Sequence, residues 1–97
     1  MRLEWDSRKD RTNRRKHGVS FEDAAGLFRG GEEYLEIYDE EHSVEEERFI
    51  AVGRIRRGVV VVVYVEREED VVRILSARMA TKNERRNFEA HVRGKHA

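Results

Sequence analysis

The chain has no cysteine, which excludes a disulfide scaffold, a thiolate metal site and a thiol nucleophile. It has no apolar stretch of transmembrane length and no signal-peptide core. A soluble, cytoplasmic protein with no membrane partner is therefore expected. Net charge is also missing: 20 Lys and Arg balance 20 Asp and Glu, so the molecule as a whole is no polyanion binder. That exclusion fails locally, because the charges come in blocks. Residues 32–47 carry nine acids and neither Lys nor Arg, whereas 8–16 and 78–95 are mostly basic. At 97 residues the chain is expected to form one domain over 1–97, with a single modest core and a frayed tail at 94–97.

What the chain does have is a run of seven β-formers at 59–65, five of them consecutive valines. Such a run reads as a central strand covered on both faces. Residues 48–55 and 71–77 read as strands too, joined to it by the short polar connections 56–58 and 67–70. A Gly closing a three-residue loop suits a type I turn with a bulge, so the three segments form an antiparallel meander.

The rest of the chain covers this meander. Leu3–Trp5 suits a short edge strand. Asp6 can cap a helix running to His17, with Gly18 as its left-handed stop. That helix has no apolar stripe, so it presents either a solvated face or a basic surface for phosphates. Ser20 and Asp23 form a capping box for a second helix, in which Phe21, Ala24, Ala25 and Phe28 share a core-facing stripe before Gly30 and Gly31 end it. Residues 32–38 suit a further strand, and 39–46 a polar loop. His42 stands there near Asp39 and Glu41 without a firm metal-ligand spacing, so no metal or cofactor is expected. Thr81 and Glu84 form a capping box for the last helix. Its early Lys82, Arg85 and Arg86 oppose the helix dipole, as they would if they faced an anionic partner; a solvated surface is the alternative. The fold class is α+β: two N-terminal helices and a C-terminal helix packed on a small antiparallel sheet.

Alternation divides the meander into two faces if Ile55 pairs with Val59 and Val65 with Val71. One face then carries Ile50, Val52, Arg54, Val60, Val62, Tyr64, Val72, Ile74, Ser76 and Arg78. The other carries Phe49, Ala51, Ile55, Val61, Val63, Leu75 and Ala77, with Arg73 as its one charge, and should receive the amphipathic helix. Arg54, Ser76 and Arg78 would converge around Val60. Two arginines on an apolar face require anions. Glu47 or Glu84 could supply a salt bridge, or a phosphate could be the partner. A one-residue slip would exchange the faces.

Several segments together resemble the BrnT family of toxins from type II toxin–antitoxin modules. They are Glu4–Asp6, Asn13–Glu22 (Asn-Arg-Arg-Lys-His-Gly-Val-Ser-Phe-Glu), Asp39 with His42 and Ser43, Glu46–Phe49, Gly53 with Arg54, Ser76–Arg78 and Glu84–Arg86. The resemblance spans about residues 3–90. It implies a RelE-like fold and a ribonuclease that stops translation. It also implies a BrnA-type antitoxin with a ribbon-helix-helix part, through which alone the complex would reach operator DNA.

Metal-independent cleavage needs a 2′-hydroxyl activated, an anionic phosphorane stabilised and a leaving oxygen protonated. Arg54 and Arg78 could stabilise the phosphorane, and Lys9 could bind or protonate. Glu47 is a candidate base, and Tyr64 a candidate acid or base-stacking platform. His17 suits acid–base work by type, or could cap helix carbonyls. Arg14, Lys16, His17, Ser76, Lys82 and Arg85 are candidate RNA-binding residues. The antitoxin is expected over the basic faces of the first and last helices. The substrate class is mRNA, free or on the ribosome, and a dimer through the complex stays open. A non-catalytic RNA- or ribosome-binding inhibitor is the alternative to the enzyme. A DNA-binding role for the lone chain is weak without net positive charge or a helix-turn-helix pattern.

Overall fold

A computed structural model describes residues 1–68 and 70–96. The elements follow as β1 (Arg2–Glu4), α1 (Ser7–His17), α2 (Phe21–Arg29), β2 (Tyr34–Tyr38), β3 (Arg48–Ile55), β4 (Gly58–Arg67), β5 (Val71–Met79) and α3 (Lys82–His96). The strands form one five-stranded sheet in the order β1-β5-β4-β3-β2, with the valine strand in the middle. The sheet is mixed rather than antiparallel: β1 runs parallel to β5, pairing Arg2 with Val71 and Glu4 with Arg73. A parallel pair needs a long crossover, and here most of the chain lies between its two strands.

The helix boundaries follow from their caps. Asp6 accepts hydrogen bonds from the backbone N–H groups of Arg8 (2.8 Å) and Lys9 (3.1 Å). Those of Lys9 first and then Arg8 hold its carboxyl below the usual range. Gly18 ends α1 at φ 71° and donates to the Arg14 carbonyl. Ser20 accepts from the Asp23 N–H at 3.0 Å and opens α2. At the far end, α3 continues past Gly94 to His96, where an unravelled end is expected from sequence. A glycine this near a terminus costs only about 1 kcal/mol.

The faces of the sheet depart from the alternation expected above. The β3–β4 hairpin turns on Arg56 and Arg57 alone, and Gly58, at φ 132°, already pairs with Ile55. The three-residue loop is thus one residue too long, and β4 slips by one. Val60, Val62 and Tyr64 therefore lie with Phe49 and Ala51 under α2, while Val59, Val61 and Val63 face α3. A second shift follows in β5. Val63 pairs with Ser76 and Tyr64 with Ile74, so Leu75 is an extra residue. This bulge puts Val72, Ile74 and Ala77 on the α2 face, opposite Ser76 and Arg78.

The larger core lies between α2 and the sheet: Phe21, Ala24, Ala25 and Leu27 pack over Ala51, Val60, Val62 and Ile74. The closest approach is at Gly53 of β3. A Cβ there would overlap Leu27 Cδ1 and stand 2.7 Å from Tyr34 Cβ. Gly53→Ala should therefore destabilise the fold by about 1–3 kcal/mol, as overpacking does, read as a lower urea midpoint at unchanged slope. The second cluster is smaller, with Phe88 and Val92 of α3 set on Val52, Val59 and Val61. Seven of the 11 residues of α1 are charged, and it buries only Asn13.

Candidate functional site

Asn13 explains how so polar a helix is held. Its amide donates to the carbonyls of Val19 (2.9 Å) and Ala77 (2.7 Å), and its oxygen accepts the Ala77 N–H (3.1 Å). Strand β1 covers β5 only as far as Arg73, so from there β5 is an open edge. Asn13 pairs with Ala77 as a neighbouring strand would. Asp10 adds a second polar tie, accepting the Phe21 N–H at 2.8 Å. Edge-to-face contact of Trp5 and Phe21, with ring centres 6.4 Å apart, closes the joint between α1 and α2.

This docking creates a groove of about 310 Å³ between α1 and the bulge of β5. It is lined by Arg8, Lys9, Thr12, Asn13, Lys16 and His17 from the helix, and by Leu75 and Ser76 from the strand. Four of the sequence-derived candidates, Lys9, Lys16, His17 and Ser76, thus come together. Arg8, Thr12 and Asn13 were missed. The signal for Asn13 was slight: an amide in a helix otherwise mostly charged. Arg14 lies on the same helix, 3.6 Å from Asp10.

Ser76 also borders a second hollow, of about 290 Å³, on the α3 face. Arg78 stands at its rim, and Arg78 and Arg54 share this face, opposite Val61 and Val59 of β4. Both are paired with carboxylates of α3. Arg78 donates to both oxygens of Glu84 (2.7 and 2.9 Å), and Arg54 Nη2 is 3.5 Å from Glu89. Of the partners expected from sequence, Glu84 is the one that holds Arg78. Arg85 also pairs with Glu89, at 3.7 Å, and Lys82 is exposed on the first turn.

The structure does not bring the other two candidates here. Tyr64 lies on the opposite face, 1% exposed among Phe28 and Phe49, and donates to Glu36 at 2.7 Å. Burial first, then that carboxylate, pushes its phenol well above the usual range. Glu47 is exposed just before β3. Arg54 is seven steps further along the chain, about 23 Å at the usual strand rise. Arg54, Ser76 and Arg78 thus still share one face, beside Val59, Val61 and Val63 rather than Val60, and Ser76 also joins Lys9, Lys16 and His17 in the groove. In the β2–β3 loop, His42 Nδ1 lies 3.0 Å from Asp39. Among the described residues, no three His, Asp or Glu gather as metal ligands do.

Glu84 has two tasks. It accepts from Arg78 and also from the Thr81 N–H (2.8 Å), while Thr81 Oγ1 accepts the Glu84 N–H (3.2 Å). Arg78 foremost, then the Thr81 N–H, lowers its carboxyl from 4.5 to about 2. A depressed folded value stabilises above pH 4.5, and that contribution is lost as pH falls toward 2. The melting-temperature gap between wild type and Glu84→Gln should therefore close over that interval. A constant gap in thermal melts would deny the linkage.

Over residues 5–84 the chain matches the family described as the ribonuclease toxin BrnT of type II toxin–antitoxin systems. Among solved structures it is similar to the ribonuclease toxin BrnT of Brucella abortus. The identity is 23% and the TM-score 0.68, over 84% of this chain and 99% of that one. At that identity the likeness is one of fold. No curated protein matches the chain.

Proposed function

Because this chain belongs to the BrnT family of ribonuclease toxins of type II toxin–antitoxin systems, we propose that it cleaves mRNA without a metal, stops translation, and is neutralised by a BrnA-type antitoxin. The observation that carries this reading is the meeting of Lys9, Lys16, His17 and Ser76 in one groove, with Ser76 also lining the neighbouring hollow beside Arg78. Exposed ammonium groups on a helix track a phosphate backbone, and RNA binding of this kind weakens with salt. Arg14, Lys82 and Arg85 extend the basic surface on either side. Lys9 and His17 stand where a 2′-hydroxyl or leaving oxygen would exchange its proton, and Arg78 where phosphorane charge would develop. Arg54 adds positive charge on the same face. Tyr64 and Glu47, set apart from the groove, take no part in this proposal.

The fold would be of the RelE-like type, in one domain over 1–97, and the protein would act in the cytoplasm. The antitoxin's ribbon-helix-helix part would make the operator contacts and could pair two toxins through the complex. The test is cleavage of mRNA by the purified chain in EDTA, with antitoxin added in a parallel reaction. Scission in EDTA that antitoxin abolishes is the expected result. Scission restored only by Mg²⁺ or Mn²⁺ would refute metal independence. Scission confined to translating ribosomes would change the substrate and keep the chemistry.

A further inference from the structure

Strand β2 is the outer edge of the sheet, and among the described residues no strand lies beyond it. Exposed edges are ordinarily guarded by Lys, Pro or a bulge. β2 has none of these: it reads Tyr-Leu-Glu-Ile-Tyr and pairs with β3 without a register shift, and its one charge, Glu36, is turned to the Tyr64 hydroxyl. Its two faces differ. Tyr34, Glu36 and Tyr38 point to the α2 side, against Phe28, Tyr64 and Phe49 respectively. Leu35 and Ile37 point to the α3 side, where with Ile50, Val52, Val61 and Val63 they line the hollow that α3 leaves open.

Exposed apolar surface concentrates here as well. Of the four large hydrophobic side chains exposed in the described residues, Ile37 (44%), Tyr38 (46%) and Val44 (89%) lie in β2 and the loop after it. Around them stand the nine acids of 32–47. Asp39 is matched by His42, Glu46 by Arg67 and Glu36 by Tyr64. Glu40, Glu41, Glu45 and Glu47 are exposed with no ion-pair partner among the described residues.

We propose that the free edge of β2 receives a sixth strand from the antitoxin, an extended segment in which apolar residues alternate with Lys or Arg. Backbone hydrogen bonds would zip it to Tyr34–Tyr38, as in other β-strand additions. Its apolar side chains would fall beside Leu35 and Ile37, over the open hollow. Its basic ones would reach Glu36 and the acidic loop. The charge selects the occupant: a second copy pairing through β2 would bring nine acids against nine, whereas a basic strand is attracted. This site lies at the opposite edge of the sheet from β1 and β5, so the α1 groove stays outside the contact. The proposal rests on the reading that the chain has an antitoxin partner.

Two experiments on the full chain test it. The first uses short synthetic peptides alternating Lys and Val, one unmethylated and one N-methylated at every residue. Charge and side-chain order are equal in both peptides, but the methylated one has lost the N–H donors of both edges. It should bind about tenfold or more weaker than the other, and Ile37→Asp should weaken the unmethylated one. Equal binding of the two, or no binding of either, overturns strand addition. The second is amide hydrogen exchange on the chain with and without its antitoxin. Slowed exchange in 34–38 is expected. Binding that slows α1 and α3 and leaves β2 unchanged overturns the proposal while the partner reading stands. Failure to form any complex overturns both. A dimer of the chain alone with protected β2 amides overturns the choice of occupant.

Discussion

Replacing Arg78 with alanine is expected to lower RNA cleavage by about 10²–10³-fold, the usual cost of removing one group that stabilises transition-state charge. The fold should persist. The side chain is 42% exposed and its partner Glu84 33% exposed, and pairs so wet contribute only about 0–1 kcal/mol. Glu84 would keep its hydrogen bond from the Thr81 N–H, so α3 would remain capped. Pairing with Glu84 does not disqualify Arg78. A guanidinium has five N–H donors in a fixed fork; here two meet Glu84 and one leans toward the Met79 carbonyl at 3.4 Å. The remaining donors are held in place by those bonds, which lowers the cost of meeting a phosphate. Arg78→Lys keeps the charge and loses the fork, so it should fall between wild type and alanine. Tyr64→Phe is the control: it removes the bond to Glu36 from the opposite face and should leave cleavage within a few-fold of wild type. Initial rates on one RNA at fixed salt decide the matter. If Arg78→Ala cuts as fast as wild type, the guanidinium serves only to hold α3, and catalysis must be sought among Lys9 and His17.

The caps were legible because each is local. Asp6 and Gly18, Ser20, and Thr81 with Glu84 all sit where sequence places them, and the valine strand is central as its composition demands. Neither the register nor the parallel β1 could be read so directly. A hairpin with Arg56 and Arg57 in its turn and one that also includes Gly58 differ by a single residue, yet that residue carries Tyr64 from one face to the other. The bulge at Leu75 leaves no trace in the alternation of β5, since Leu, Ile and Val suit either face. These two one-residue events explain why the candidate site differs from its sequence-derived version. Arg54, Ser76 and Arg78 stay together because they keep their own parity, whereas Tyr64 departs with its strand. The groove was foreseeable only in its parts: the basic helix was evident, but its position against β5 depends on Asn13.

Asn13→Ala should therefore be the most damaging substitution to stability. It would strip partners from the Ala77 N–H, the Ala77 carbonyl and the Val19 carbonyl, each bonded to that one amide. A buried polar group left unmet costs about 1–3 kcal/mol, but the three share one joint that can open to water, so the total should be about 2–4 kcal/mol. For a chain of this length that lowers the melting temperature by roughly 10–25 °C. Asn13→Asp tests the geometry more sharply. It preserves an acceptor for the Ala77 N–H but sets a carboxylate against two carbonyl oxygens, so it should be at least as damaging as alanine. The consequence for function is distinct from global unfolding. Helix α1 has no apolar stripe to hold it once the clamp is gone, and Lys9, Lys16 and His17 travel with it. Below its melting temperature Asn13→Ala should thus bind RNA more weakly and with a shallower salt dependence than wild type, because fewer phosphates are met at once. Thermal melts together with RNA titrations at two salt concentrations read both effects. A variant that melts within a degree or two of wild type would show that Asp10 and the Trp5–Phe21 contact hold α1 without the amide.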